Sequence, residues 1–397
     1  MPRDDRFDLT PDRRGTHCSK WDMMEGLFGI PAAEGLAMWV ADMEFRPPLA
    51  VQRAVEAMAA HGVYGYFGDD RPYLAAIGWW MRERHGWDAD PASVFTTHGL
   101  VNGVGLVLQA FTEPGDAVAL MTPVYHAFAR VIRAAGREVT ELPLRVGADG
   151  RHALDWRDWD VRGARLSGRE RMLILCSPHN PGGRVWTRAE LEEVAEFARR
   201  RDLILVSDEI HHDLVMPGHR HVPMALLDGV ADRLVMLTAT TKTFNIAGAH
   251  VGNVTIPDPA LRARFAAVMG AMGISPNSFG MAMARAAYSP EGAAWVDALV
   301  AYLDANRRAF DAGVNAIPGV RSMPLEATYL AWVDFRGLGM AQAEIERRFR
   351  ETARIAANSG PSFGLGGEGW MRVNLGAPRA QVEDAVARLR AAFGDVQ

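Results

Sequence analysis

The chain has 397 residues, 49% hydrophobic and 23% charged, enough for two sizeable domains or one large α/β domain with a smaller one appended. A formal net charge of −5 and a pI of about 6.2 give no general attraction to nucleic acid or to an anionic membrane surface. The two cysteines, Cys18 and Cys176, make neither a metal-ligand spacing nor a disulfide framework, residues 1–15 lack the apolar core of a signal peptide, and no apolar run is long enough to span a bilayer, so a cytoplasmic protein with reduced thiols is expected.

Residues 1–46 are rich in aromatics without a clear period and are expected to form an irregular arm wrapped over another surface. Pro47-Pro48 opens a helix expected to reach about Ala60, with Gly62 beyond its end. Val63 to Gly68 is a glycine-punctuated loop carrying Tyr64, Tyr66 and Phe67, and another helix is predicted from Pro72 to about His85. From Ser93 short apolar runs alternate with helical patterns. The runs fall at Val94–Thr97, Ala117–Leu120, near Val139, at Met172–Cys176, Leu203–Val206 and Leu234–Leu237, and near Val251. A glycine-bearing helix is predicted from Gly99 to about Phe111. Thr187 and Glu190 form a capping box ahead of a helix with Leu191, Val194, Ala195 and Ala198 on one face.

Such alternation implies a mainly parallel sheet covered on both faces, with any ligand at the carboxyl ends of its strands. After about Tyr288 the pattern changes. A helix from Gly292 to Val314, a strand over Ala327–Asp334, a helix from about Ala341 to Arg354, a strand at Met371–Asn374 and a last helix from Arg379 make an α+β unit. The fold class expected is therefore α/β. We assign residues 47–288 to a large domain, residues 289–397 to a smaller one, and the arm 1–46 to the smaller one as well.

Three strand ends carry polar clusters: Ser177-Pro178-His179-Asn180-Pro181, Ser207-Asp208-Glu209-Ile210-His211, and Thr238-Ala239-Thr240-Thr241-Lys242. Asn180 and Asp208 are 28 positions apart and Asp208 and Lys242 are 34 apart, about one β-α unit each, so all three side chains can reach one sheet edge. Taken alone, Lys242 has the ordinary reading of a solvated surface lysine. Together the three match what pyridoxal 5′-phosphate needs. Asp208 would keep the ring nitrogen protonated, the Asn180 amide would donate near the phenolic oxygen, and Lys242 would form a Schiff base and then move the Cα proton. Gly99-Leu100-Val101, where a strand turns into a helix, would hold the phosphate on backbone amides.

In this order, Asn-Pro-x-Gly, Ser-Asp-Glu-Ile-His and Thr-Lys-Thr-Phe-Asn resemble the fold-type I aminotransferase superfamily, with its seven-stranded large-domain sheet. Lys20-Trp21-Asp22, Trp39 to Phe45, Ser177 to Pro181 and Thr328 to Trp332 are similar to its cystathionine β-lyase-like C–S lyase branch, over residues of about 16 to 390. The resemblance implies several further roles. Tyr125 would stack on the cofactor ring, and His211 would lie near its phenolic oxygen. Thr241 would bind phosphate, while Arg372 would clamp the substrate α-carboxylate through paired hydrogen bonds. Ala41, Asn180 and Tyr329 would border the substrate, and Tyr66 would reach the phosphate of a partner subunit in a homodimer. Three departures stand out: Asn-Pro-Thr-Gly has become Asn-Pro-Gly-Gly at 180–183, which loses one hydroxyl, and two more concern the phosphate. Ala239 occupies a position where the superfamily often has a phosphate-binding serine, leaving Thr238, Thr240 or Thr241 to substitute, and His250 stands where many relatives carry an arginine.

Other readings compete. His211 and His212, with His219 and His221 nearby, could suggest a metal, but adjacent histidines on an extended segment diverge and no zinc-type spacing supports it, so no metal is expected. Glycines 99, 103 and 105 do not make a dinucleotide fingerprint. An aminotransferase would use the same Lys242, Asp208, Asn180 and Arg372 as a C–S lyase, and a non-catalytic regulator could keep the fold, although it need not keep Lys242 and Asp208.

Overall fold

The computed structural model describes residues 5–156, 158–159 and 166–394; the outer ends of the expected arm and small domain, residues 1–4 and 395–397, lie outside them. Seven strands form the central sheet: β1 (Val94–Thr97), β2 (Ala117–Thr122), β3 (Glu138–Pro143), β4 (Glu170–Cys176), β5 (Ile204–Asp208), β6 (Leu234–Thr238) and β7 (Gly252–Thr255). Their spatial order is β1-β7-β6-β5-β4-β2-β3. All are parallel except β7, which runs antiparallel to both neighbours. The mainly parallel seven-stranded sheet is the expected fold.

The reversal of β7 was not legible in the sequence. The connection 239–251 stays at the carboxyl edge, in a short helix (Thr240–Thr243) and a turn (Ala247–Ala249), so the chain re-enters the sheet from the edge it has just left. Every residue of β2 and β6 is buried, because helices cover both faces and the strands need no polar alternation.

A second, four-stranded antiparallel sheet comprises β8 (Arg321–Ser322), β9 (Leu330–Asp334), β10 (Asn358–Ser359) and β11 (Trp370–Asn374), in the order β8-β9-β11-β10. The strand expected from Ala327 begins only at Leu330, since Thr328 sits in the left-handed region at φ 72°. The helix expected over 341–354 is an α-helix only from Gln342 to Arg347 and widens into a π turn over Arg348–Thr352.

The arm is more ordered than its sequence suggests. It holds short helices at Ser19–Asp22 and Met24–Phe28, and Leu36–Ala37 pairs in parallel with Ile355–Ala356. Helices at Ala127–Ala134, Pro259–Ala271 and Ser278–Ala287 were also missed. Pro259–Ala271 had a usable signal: Asp258 accepts from the amides of Ala260 and Leu261, with proline at the first helical position. Among the described residues, no helix is long and apolar enough to cross a membrane.

Candidate active site

Five parallel strands deliver side chains to one edge of the large sheet. β1 runs into Gly99, which adopts φ 83° and caps the helix Leu100–Phe111. A Cβ on Gly252 of the neighbouring β7 would lie 3.1 Å from both Gly99 C and Leu100 N, so a glycine there lets strand and helix start approach closely. β2 leads to Tyr125 and β4 to Asn180, β5 ends in Asp208, and β6 leads to Thr241 and Lys242.

Gly99, Leu100, Val101, Tyr125 and Asn180 line one cavity of about 190 Å³ with Asp208, His211, Thr241, Lys242 and Ala41 of the arm. These predicted positions therefore converge. His98, Phe128, Cys176, Ile210, Ala247 and His250 complete the wall. Of these only His250 was singled out from the sequence. Phe128, on the first turn of the helix Ala127–Ala134 that follows Tyr125, lies edge-on to its ring at 5.5 Å. Three predicted residues do not line the cavity: Arg372 and Tyr329 sit behind its wall, bonded to Asn180 and Ala41, whereas Tyr66 is fully exposed.

The Lys242 amine is buried and donates to the Ala41 carbonyl at 2.6 Å. Burial pushes its pKa down to about 8, with the nearby Asp42 carboxylate opposing. The Tyr329 hydroxyl donates to the same carbonyl at 2.8 Å, so large sheet and small sheet meet on one arm residue. Asp208 is pushed up to about 7 by burial, against the Ile210 amide that donates to it at 3.1 Å. Burial, with Lys242 and Arg372 nearby, holds His211 well below the ordinary imidazole range, and its Nδ1 has no protein partner.

Arg372, on β11 opposite Trp332 and Asn358, reaches the cavity wall by donating to Asn180 Oδ1 at 3.1 Å. It also donates to the Trp39 carbonyl at 2.9 Å and to Asn358 Oδ1 at 2.6 Å, and its guanidinium lies over the Phe363 ring at 5.0 Å. Its Nε has no protein partner. Burial lowers its pKa to about 10, which leaves it a cation at neutral pH.

The arm is held in place by amides and charges. Asn374 donates to the carbonyls of Val40 and Asp42 at 2.7 and 2.6 Å. Asn245, three residues after Lys242, accepts from Met43 N and donates to the carbonyls of Met43 and Phe45. Lys20, almost wholly buried, pairs with Glu44 at 2.7 Å and Asp42 at 3.4 Å.

The histidine pair needs correction. Ile210 to Asp213 is a turn rather than an extended segment, and the relevant companion is His85, not His219. His211 faces the cavity, whereas His212 lies behind it with His85 and Asp213. These three offer ligand-type atoms within 4.8 Å of one another, but the Asp213 carboxylate is already engaged. Oδ1 accepts from Trp80 at 2.9 Å and faces His85 at 2.7 Å, while Oδ2 accepts from Thr243 at 2.8 Å and faces His212 at 3.1 Å.

The cavity suits a flat, anionic aldehyde cofactor. It offers a buried carboxyl, a depressed amine, a helix start without a Cβ, and two neighbouring donors without protein partners, His211 Nδ1 and Thr240 Oγ1. Of the hydroxyls that could replace the one missing at Ala239, Thr241 lines the cavity and Thr240 is buried.

The family profile for aminotransferase class I and II matches residues 43–389. The chain is 39% identical to cystathionine beta-lyase PatB of Bacillus subtilis over 390 residues, covering 98% of this chain and 99% of that one. It is 32% identical to protein MalY of Escherichia coli over 388 residues, covering 96% and 97%. Among solved structures, cystalysin from Treponema denticola, which contains a pyridoxal 5′-phosphate cofactor, superposes with a TM-score of 0.92 at 32% identity, covering 98% of this chain and 99% of that one. With the matched profile, the sheet order and the site agreeing, the chain belongs to the class I and II aminotransferase family.

Proposed function

We propose that the protein is a pyridoxal 5′-phosphate-dependent C–S β-lyase that cleaves cystathionine or another cysteine S-conjugate to a thiol, pyruvate and ammonia. The observation that carries this reading is the bond from Lys242 Nζ to the Ala41 carbonyl. It seats the arm segment Trp39 to Phe45, which resembles the C–S lyase branch, on the residue that moves the proton. The identity with a cystathionine beta-lyase over nearly the whole chain supports the same conclusion.

When bound, pyridoxal 5′-phosphate supplies an electron-accepting ring for the charge left at Cα. Lys242, with its pKa near 8, is partly neutral at physiological pH and takes the Cα proton. Asp208 would hold the cofactor at its ring nitrogen; a cation placed beside this buried carboxyl favours its charged form. Arg372 clamps the substrate α-carboxylate through its partnerless Nε and the rest of its fork, which Asn180 and Asn358 hold in plane. Tyr125 would cover one ring face, and Gly99 to Val101 with Thr241 would receive the phosphate. As the Cα proton leaves to Lys242, the Cβ–S bond breaks and sulfur departs with its electron pair. Water then releases pyruvate and ammonia.

In this reading residues 47–288 bind the cofactor, and residues 289–397 with the arm supply Arg372, Tyr329 and Ala41. The protein works as a homodimer in which Tyr66, fully exposed on one chain, reaches the phosphate held by its partner.

Incubation with cystathionine and no 2-oxo acid tests the assignment. Pyruvate and homocysteine should appear continuously. If pyruvate forms only after a 2-oxo acid acceptor is added, the protein is an aminotransferase instead.

A further inference from the structure

Tyr125 borders two cavities. Beyond the one described above lies a larger space of about 760 Å³, between the helix Ala127–Ala134 and the segment 361–368. Its size is that of a small-molecule site. The segment is firmly seated: Val124 N donates to the Phe363 carbonyl at 2.8 Å, and Leu365 N donates to Glu141 Oε1 at 3.1 Å. Gly364, at φ 96°, passes so close that a Cβ would strike Glu141 and Thr122. The far wall of this space is therefore built, not a chance gap under a loose loop.

Arg130 and Arg133 line it, one helical turn apart on the same helix face. Among the described residues neither guanidinium has a carboxylate within ion-pair distance, whereas Arg137, just past the same helix, is bonded to Thr112 and the Ala135 carbonyl. Glu368 and Glu141 line the same space, the latter with one oxygen held by Leu365. Thr122, buried, presents there a hydroxyl without a protein partner. The space adjoins the catalytic cavity at Tyr125, which lines both. Phe363, which lines it, lies under the Arg372 guanidinium, and both Tyr125 and His126 lie in the fields of Arg130 and Arg372 together. A substrate clamped at its α-carboxylate by Arg372 thus has a charged chamber within reach of its β-substituent.

We propose that this chamber is the subsite for the group carried on the substrate sulfur, and that it selects a group bearing a second amino-acid head. Arg130 and Arg133 take the distal carboxylate, and Glu368 with the free oxygen of Glu141 takes the distal ammonium. Two cations and two anions without mutual pairing suit a zwitterion better than an aliphatic or purely anionic substituent. The inference rests on the C–S lyase reading.

The test uses the holoenzyme and two substrates, cystathionine with a zwitterionic head and S-ethylcysteine with none. The double variant Arg130→Ala/Arg133→Ala should lose tenfold or more in kcat/KM for cystathionine, mainly through KM, and stay within twofold of wild type on S-ethylcysteine. Parallel losses on both substrates, or no loss on either, overturn the subsite. Glu368→Gln should lower only the cystathionine value, and an unchanged value removes the ammonium contact. To separate the subsite from the lyase reading, both compounds are titrated calorimetrically into Lys242→Ala protein, which cannot turn over. If wild type releases no thiol from either compound, the lyase reading fails. The subsite then stands if adding Arg130→Ala/Arg133→Ala weakens cystathionine tenfold relative to S-ethylcysteine, and falls if the ratio of the two affinities is unchanged.

Discussion

His152 offers a test of the buried electrostatics away from the cofactor cavity. It is almost wholly buried, packs edge-on against His179 at 5.5 Å, and among the described residues has no hydrogen-bond partner on either ring nitrogen. Burial, with the positive Arg336 and Arg184 nearby, pushes its pKa down from 6.5 to about 3. The unfolded chain takes up a proton on this ring below about pH 6.5, whereas the folded chain refuses it until about pH 3. The stability contributed by keeping the ring neutral is thus whole above pH 6.5 and is lost as pH falls through that window. Between pH 7 and pH 5 the linkage loss from this one ring is about 2 kcal/mol.

His152→Leu, close in volume, removes the titrating group. At pH 7 it also removes buried polar atoms whose unpaired burial costs about 1–3 kcal/mol, set against any repacking penalty. That balance leaves the sign at pH 7 dependent on packing. The widening is independent of it, since repacking acts equally at both pH values, and burial, the leading cause, holds His179 well below the ordinary imidazole range with or without the His152 ring beside it. Urea unfolding followed by tryptophan fluorescence should therefore show the variant gaining about 2 kcal/mol on wild type from pH 7 to pH 5. A gap that stays constant over that range would refute the reasoning and mean that His152 accepts a proton in the folded state.

Further outcomes follow from the site. Lys242→Ala should abolish turnover, and borohydride should fix the cofactor on the peptide containing Lys242 in wild type and on no peptide in the variant, read by mass spectrometry. Asp208→Asn should fold normally by circular dichroism yet lose most activity, since a neutral amide cannot hold the ring nitrogen protonated; near-normal turnover with cofactor bound would count against Asp208. Arg372→Ala should lower kcat/KM by about a hundredfold or more, from two charge-assisted hydrogen bonds worth about 1.5–3 kcal/mol each, and Arg372→Lys should recover only part because it lacks the fork. Asn245→Ala should free the segment 43–45, shown by faster proteolysis of the arm, and lower activity as the Ala41 carbonyl shifts from Lys242.

The strand-helix alternation was legible because buried parallel strands must be short apolar runs and the helices between them must be amphipathic. β4, β5 and β6 could be placed in this way, and with them Asn180, Asp208 and Lys242 on one edge. That inference needed only spacing: one β-α unit returns the chain to the same side of the sheet. What the sequence could not disclose depends on contacts between distant segments. Ala41 looks like an ordinary arm residue, and its importance lies in a backbone carbonyl that any residue would carry; only the fold puts Lys242 and Tyr329 on it, from 201 and 288 positions away. His85 and Asp213 are likewise 128 positions apart, so their part in the group behind the cavity was invisible; of the histidines close in sequence, His221 does stack on His212 at 6.2 Å, whereas His219 was misleading. The depressed amine and the raised Asp208 carboxyl belong to the same class. Residue type sets what can titrate, but the shift comes from removing water, and water is removed only when the arm and the small sheet close over the edge of the large one.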